Sequence, residues 1–154
     1  MMKIKPERMK KIYWGEITAT TYQQGSTIQQ LDKGRVLFKN RLMPSAQVIQ
    51  SWSSQSVFGH TRRPPELPLL KRGQTYQLEL MMTSTPAHTV LVEVVFLDRF
   101  GQTVDRTTSD KGQVLFTYPR EAYSYEVHLL SAGLQELEFY YMTLAPYEGE
   151  MDED

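Results

Sequence analysis

The sequence predicts an all-β domain, an antiparallel β-sandwich, and two patterns carry this prediction. The first is alternation over residues 75–82, where Tyr76, Leu78, Leu80 and Met82 are apolar and the residues at 75, 77 and 79 are polar. A period of two is typical of a strand that buries one face. The second is turn chemistry roughly every ten residues, which separates about nine short segments of this kind and is characteristic of sandwiches and barrels.

The best-defined strands are predicted at residues 76–82 and 90–97, and the connector between them contains Pro86. Proline cannot donate to a sheet ladder, so the connector is predicted to lie outside both strands. Consecutive strands joined by a short loop commonly pair antiparallel. We therefore expect these two strands to form a hairpin that buries a common face and ends in a turn at residues 98–101.

The upstream strands are predicted at residues 12–18, 27–31, 35–40 and 47–52. Asp32-Lys-Gly34 is a hairpin signal with glycine at the position that needs a positive φ. Residues 53–71 form the longest irregular stretch and contain three prolines, which exclude a helix or a central strand. A loop of this length is expected to bind a ligand or to cover a sheet edge.

The downstream strands are predicted at residues 102–107, 114–118, 123–129 and 136–144. In the third of them the inward side chains are expected to be Tyr123, Tyr125, Val127 and Leu129. In the last, alternation places Leu137, Phe139 and Tyr141 inward and leaves Tyr140 and Met142 on the other side.

Length, charge and composition narrow the class of protein. The chain has 154 residues, a formal net charge of −1 and no cysteine. This length suits one domain with a single core. The near-neutral charge argues against a nucleic-acid partner, and the absence of cysteine excludes disulfides and thiolate chemistry. No apolar run reaches the length of a signal-peptide core or a membrane span, so we expect a cytoplasmic protein with at most peripheral contact with the membrane.

The charged ends define the expected domain limits. Residues 1–11 are predicted to be a basic flexible arm, residues 12–145 a single β-sandwich, and residues 146–154 an acidic disordered tail.

No catalytic residue, metal site or cofactor is predicted. His60, His88 and His128 lack the paired spacing of a metal site. The chain has no nucleophile elbow, phosphate-binding loop or dinucleotide fingerprint. A glycosidase would need two facing carboxylates, and only Glu93 lies where solubility alone does not explain a carboxylate.

The face around Glu93 is a candidate interface with a partner protein. Glu93 shares this face with Leu91, Val95 and Leu97, so both faces of the strand are largely apolar. An apolar outer face needs cover from another protein or from the same chain, here residues 62–70. Tyr140 and Met142 repeat the pattern on the last strand and favour the partner.

Trp52 has two possible roles. An exposed indole can stack on the apolar face of a sugar ring, and polar contacts could come from Ser53, Ser54, Gln55, His60 and Arg62. The alternative, which is the commoner one for a tryptophan at the end of a strand, is packing in the core.

Four longer motifs resemble the third type of accessory Sec system protein. They are Phe38-Lys-Asn-Arg-Leu-Met-Pro44, Ile49-Gln-Ser-Trp52-Ser-Ser, Leu67-Pro-Leu-Leu-Lys-Arg-Gly73-Gln-Thr-Tyr76 and Phe116-Thr-Tyr-Pro119-Arg-Glu-Ala-Tyr-Ser-Tyr125. Together with shorter matches they span roughly residues 13–144, and neither charged end is included.

This resemblance implies a jelly-roll-like sandwich similar to a carbohydrate-binding module. It also implies a cytoplasmic, non-catalytic subunit of an accessory export apparatus of Gram-positive bacteria for glycosylated serine-rich repeat adhesins. The implied partners are the first and second accessory secretion proteins and, beyond them, the adhesin and the accessory Sec ATPase. No site residue is transferred from the family.

Two functional hypotheses follow. In the first, the chain is an adaptor that binds the other accessory secretion proteins through Leu91, Glu93, Val95, Leu97, Tyr140 and Met142. In the second, it is a lectin-like module that binds N-acetylglucosamine-modified serine and threonine segments of the adhesin through Trp52, His60 and Arg62.

Overall fold

The computed structural model describes residues 9–15, 27–31, 34–40, 47–55 and 66–147. These residues form ten β-strands: β1 Lys10–Ile12, β2 Thr27–Gln30, β3 Val36–Lys39, β4 Val48–Ser53, β5 Thr75–Thr85, β6 Val90–Leu97, β7 Thr103–Ser109, β8 Gln113–Thr117, β9 Ser124–Ser131 and β10 Glu136–Pro146.

The strands form two antiparallel sheets that face each other across one core. The six-stranded sheet has the order β2-β3-β10-β5-β8, with β1 also paired to β10, and the four-stranded sheet has the order β4-β9-β6-β7. From β3 onward the chain changes sheet at every connection except that between β6 and β7. This alternation is the pattern of a jelly roll, and the predicted all-β sandwich is confirmed.

The predicted hairpin between β5 and β6 is wrong. β5 pairs with β8 and β10, whereas β6 pairs with β7 and β9 in the other sheet. The two strands still contribute to one core, because Leu78 and Val92 are both buried between the sheets. A shared apolar face can be formed by side-by-side strands or by facing strands, and here the strands face each other.

A β-bulge in β10 inverts the predicted phase of its second half. Phe139 lies opposite Met82 and Tyr141 lies opposite Met81, so Tyr140 is an extra residue without a partner on β5. A bulge sets two residues of one strand against one residue of the other. After the bulge Met142 and Leu144 point into the core and are buried, while Tyr141 is half-buried on the outer side. The predicted outward position of Met142 and the predicted inward position of Tyr141 are therefore both wrong.

Two groups of aromatic side chains fill much of the core. The first joins Trp14, Trp52 and Phe139, with ring centroids 5.6 Å apart between Trp14 and Phe139 and 5.7 Å apart between Trp52 and Phe139. The second contains Tyr76, Phe96, Phe116, Tyr118 and Tyr125. The Tyr125 hydroxyl donates to the Pro68 carbonyl oxygen at 2.6 Å. Burial raises the pKa of Tyr125 above its usual value, so this hydroxyl keeps its proton.

The ends of the sandwich differ from the predicted limits. Lys10 and Lys11, assigned to a flexible arm, form β1 and pair with Leu144 and Thr143. At the other end the Tyr147 amide donates to the Thr75 carbonyl oxygen at 2.9 Å, so the ordered chain continues past residue 145. Residues 1–8 of the predicted arm and 148–154 of the predicted tail lie outside the described residues.

Deleting Tyr140 tests the bulge directly. Without this residue Phe139, Tyr141 and Met142 alternate regularly and keep their present partners on β5, so we expect a folded protein with little loss of stability. Deleting Thr143 is the matched control. After this deletion, any pairing of β10 with β5 moves either Met142 or Leu144 out of the core. We therefore expect a loss of about 2–5 kcal/mol in the free energy of unfolding, measured by urea denaturation. Equal losses for the two deletions would contradict the bulge.

Candidate functional site

An aromatic and cationic surface lies on the outer side of the six-stranded sheet. We call it the tyrosine face, and its residues are Tyr13, Tyr140, Tyr141, Met81, Lys11 and Arg35. Tyr13 is 46% exposed, and its ring centroid lies 5.9 Å from that of Tyr141. Tyr140 and Tyr141 are half-buried. The bulge in β10 lets these consecutive residues occupy the same side of the sheet, opposite Met81.

Cations lie over the tyrosine rings. Lys11 Nζ is 4.8 Å from the centroid of the Tyr141 ring, and the guanidinium carbon of Arg35 is 6.0 Å from that of Tyr140. Both distances fall within the range of cation–π attraction. Arg35 also pairs with Glu138 on β10, which holds its side chain along the sheet. Tyrosine and arginine are the residue types most often found at the energetic centres of protein interfaces.

Gly34 allows the chain to approach Tyr13. Its φ is +78°, and a Cβ atom built at this position would lie 3.1 Å from Tyr13 Cδ1. A larger residue would be strained in the backbone and would push the ring away. The positive φ predicted for this glycine is confirmed.

Trp52 connects the tyrosine face to the core. Its ring is only 1% exposed, and its Nε1 donates to the Tyr13 carbonyl oxygen at 2.8 Å. Phe139 and Trp14 lie against the ring, so no aromatic surface is open to a sugar. The predicted sugar-stacking role of Trp52 is therefore wrong. His60 and Arg62, its predicted companions, lie outside the described residues.

The predicted strip of Leu91, Glu93, Val95 and Leu97 lies on the outer side of the four-stranded sheet. Val95 is only 5% exposed although it is not part of the core between the sheets. Its neighbours on β7 and β9 are Arg106 and Glu126. Side chains on the neighbouring strands of the same sheet therefore shield much of this strip from water.

Glu93 is the centre of a charged network on this strip. Arg106 NH1 donates to Glu93 Oε2 at 3.1 Å, and His128 Nδ1 lies 3.5 Å from Glu93 Oε1. The other ring nitrogen of His128 is 3.0 Å from Glu126 Oε1. The carboxylate that seemed unexplained in the sequence is thus held by cross-strand partners.

The six predicted partner-binding residues do not form one surface. Leu91, Glu93, Val95 and Leu97 lie on one outer side of the sandwich and Tyr140 lies on the opposite side, while Met142 is fully buried between them. Residues 62–70 were proposed as cover for this strip, and their described part lies elsewhere. Leu67 packs in the core, and the Glu66 amide donates to the Ser53 carbonyl oxygen.

Sequence patterns missed Tyr13, Tyr141, Lys11 and Arg35. Tyr141 was assigned to the core because alternation carries no signal for an extra residue, and Lys11 was assigned to the arm because it is basic. The pair Tyr140-Tyr141 within a strand is the one available hint, since two large consecutive aromatics interrupt a half-buried pattern.

The described residues contain no group of three or more histidine, aspartate or glutamate side chains that could hold a metal ion. In the same part of the chain, no helix has the length and apolar character required to cross a bilayer.

The fold defines an antiparallel jelly-roll sandwich of the class that includes carbohydrate-binding modules. Part of a chain in the structure of the CBM22-1 and GH10 modules of xylanase 10B from Clostridium thermocellum matches with a TM-score of 0.52 at 13% identity, over 80% of this chain and 25% of that chain. At this identity the likeness concerns the fold alone.

The chain belongs to the family Accessory Sec secretory system ASP3, whose model matches residues 21–146. A family member from Streptococcus gordonii, an accessory Sec system protein, is 41% identical in an alignment of 146 residues that covers 89% of this chain and 92% of that protein. The resemblance seen in the four motifs is thereby confirmed.

Two solved structures contain similar chains. One, of accessory secretory proteins 1, 2 and 3 from Streptococcus pneumoniae, has a chain with 36% identity and a TM-score of 0.82 over 88% of this chain and 94% of that one. The other is the glycosylation-associated Gap123 complex from Streptococcus agalactiae, where the match has 33% identity and a TM-score of 0.81 over 90% of this chain and 44% of that one. This chain therefore spans less than half of its counterpart in Gap123.

Replacing Trp52 tests its assignment to the core. We expect Trp52→Ala to lower the free energy of unfolding by about 3–5 kcal/mol, the range for a large aromatic removed from a core. Trp52→Phe is the control, because it keeps an aromatic ring against Phe139 and removes only the N–H donor and part of the ring volume, so its loss of stability should be smaller. Urea denaturation gives both values. An alanine variant as stable as the unchanged protein would revive the sugar-stacking hypothesis.

Proposed function

We propose that this protein is a non-catalytic adaptor that binds accessory secretory proteins 1 and 2 through the tyrosine face and so supports the export of glycosylated serine-rich repeat adhesins. The proposal includes a cytoplasmic location, where the exported chain is made. The observation that carries it is the match to one chain of the complex of accessory secretory proteins 1, 2 and 3 over nearly its whole length.

The composition of the tyrosine face supports a protein partner. It combines tyrosines, a methionine and an arginine, which are residue types enriched at interfaces. The rings are already packed against each other, so binding would immobilise few additional side chains and would cost little conformational entropy. The cations Lys11 and Arg35 favour a partner surface that carries carboxylates or backbone carbonyl groups.

The strip of Leu91, Glu93 and Leu97 remains a second proposed contact surface. It lies on the opposite side of the sandwich, so it could serve one partner while the tyrosine face serves another. Val95→Asp would not probe this surface cleanly, because the Val95 side chain is nearly inaccessible and the new carboxylate would lie beside Glu126. Leu91→Ser changes this surface without introducing a charge.

The adaptor proposal predicts which substitutions break the complex. Aromatic centres of interfaces typically contribute 2 kcal/mol or more when truncated, equivalent to about 30-fold in the dissociation constant. We therefore expect the double variant Tyr13→Ala and Tyr141→Ala to lose co-purification with accessory secretory proteins 1 and 2 from the same species. Biolayer interferometry of the purified components measures the change in affinity.

Val104→Ala, on the edge strand β7 of the other sheet, is the matched control and should bind as the unchanged protein does. Thermal unfolding of each free variant separates lost binding from lost folding. A folded double variant with unchanged affinity would remove the tyrosine face from the interface. Failure of the unchanged chain to bind either protein would refute the adaptor function itself.

A further inference from the structure

A groove at one end of the sandwich is not used by the proposed function. It lies where the loops before β5 and before β9 approach the end of β4, and we call it the end groove. Its lining includes Ser54, Gln55, Leu69, Arg72, Tyr118 and Tyr123. Tyr125 also contributes, so three tyrosines line the groove.

Tyr123 offers an open aromatic ring at this groove. Its side chain is 55% exposed, although the sequence pattern assigns it to the core. Its backbone is nevertheless fixed, because its amide donates to the Leu97 carbonyl oxygen at 2.7 Å. Leu69, on the opposite loop, is 91% exposed. An exposed tyrosine with a rigid backbone is suited to stacking on a flat, partly apolar ligand.

Arg72 supplies the polar side of the groove. Its Nε donates to the Ala122 carbonyl oxygen at 2.9 Å, which fixes the direction of the guanidinium group. Among the residues that the structure describes, its two terminal nitrogens have no protein partner, and no carboxylate lines the groove. A guanidinium group can only donate hydrogen bonds, so a ligand in this groove must bring an acceptor.

Hydroxyl and amide groups complete the site. Ser54 Oγ accepts a hydrogen bond from the Tyr125 amide at 3.0 Å, which leaves its own proton available to donate. The Tyr118 ring is held by Phe96 and Tyr125, with centroids 5.9 Å and 5.6 Å away. Burial raises the pKa of Tyr118, so its hydroxyl stays protonated and can both donate and accept.

We propose that the end groove binds a pyranoside that carries a hydrogen-bond acceptor, either an acetamido carbonyl or a carboxylate. The apolar face of the sugar ring stacks on Tyr123, the acceptor substituent binds the terminal nitrogens of Arg72, and ring hydroxyls bind Ser54, Gln55 and Tyr118. A proline-rich peptide would also fit between tyrosines. The pyranoside is favoured because the groove places four different hydrogen-bonding side chains beside a single open ring, whereas a polyproline segment offers only carbonyl groups.

The test is a titration of the isotope-labelled full chain followed by amide chemical shifts. The probes are methyl β-N-acetylglucosaminide, methyl β-glucuronide, methyl β-glucoside and a proline-rich decapeptide. We expect one or both of the acceptor-bearing sugars to shift the amides of residues 54–55, 69–72 and 123, with the plain glucoside at least about tenfold weaker. The comparison of the first two sugars identifies the acceptor.

Variants separate binding in the groove from binding elsewhere. Tyr123→Ala and Arg72→Gln should each weaken binding by about tenfold or more, whereas Phe100→Ala, an exposed aromatic in the turn after β6, should leave it unchanged. If Tyr123→Ala does not fold, Arg72→Gln and the chemical-shift map of the unchanged chain still show whether the sugar binds in the end groove.

Absence of groove shifts with every sugar, equal binding of the plain glucoside, binding unaffected by both groove variants, or binding of the peptide alone would each overturn the proposal. Tyr123→Ala should still co-purify with accessory secretory proteins 1 and 2, so failure of the groove and failure of the adaptor function are distinguishable.

Discussion

One extra residue in β10 determines which side chains form the core and which form the tyrosine face. This strand pairs with β5 along nearly its whole length, and on its other side with β3 and β1. The bulge at Tyr140 lets Phe139 and Met142 both point inward, although three positions separate them. The same irregularity turns Tyr140 and Tyr141 outward together. Core packing and surface recognition therefore depend on a single feature of the backbone.

The Trp52 side chain couples these two regions across the sandwich. Its ring packs on Phe139, directly before the bulge, and its N–H binds the backbone of Tyr13, whose ring belongs to the tyrosine face. A buried N–H without a partner would be destabilising, so this hydrogen bond and the packing support each other. The segment after β1 is consequently held against both sheets, and Tyr13 reaches its partner Tyr141 with little freedom.

Local patterns in the sequence predicted the parts of the fold that local physics decides. The β-branched run at residues 90–97 forms β6 with the predicted bounds, and Tyr125, Val127 and Leu129 point inward as alternation requires. The remaining features of the fold depend on contacts between residues that are distant in sequence. Trp52 finds its acceptor 39 residues away, and β5 pairs with β10 instead of its neighbour. An alternating pattern does not show where a bulge adds a residue to a strand. The tyrosine face depends on the bulge, so it could not be predicted from the pattern.

The proposed adaptor function requires that a partner buries the tyrosine face, and hydroxyl-radical footprinting measures this burial directly. The oxidation rates of individual side chains are compared by mass spectrometry between the free chain and its complex with accessory secretory proteins 1 and 2, with exposed Phe100 as the internal reference. If the tyrosine face is the interface, oxidation of Tyr13 and Met81 is expected to slow several-fold in the complex. Unchanged oxidation of both residues, with protection at Leu91 and Leu97 instead, would contradict this interface.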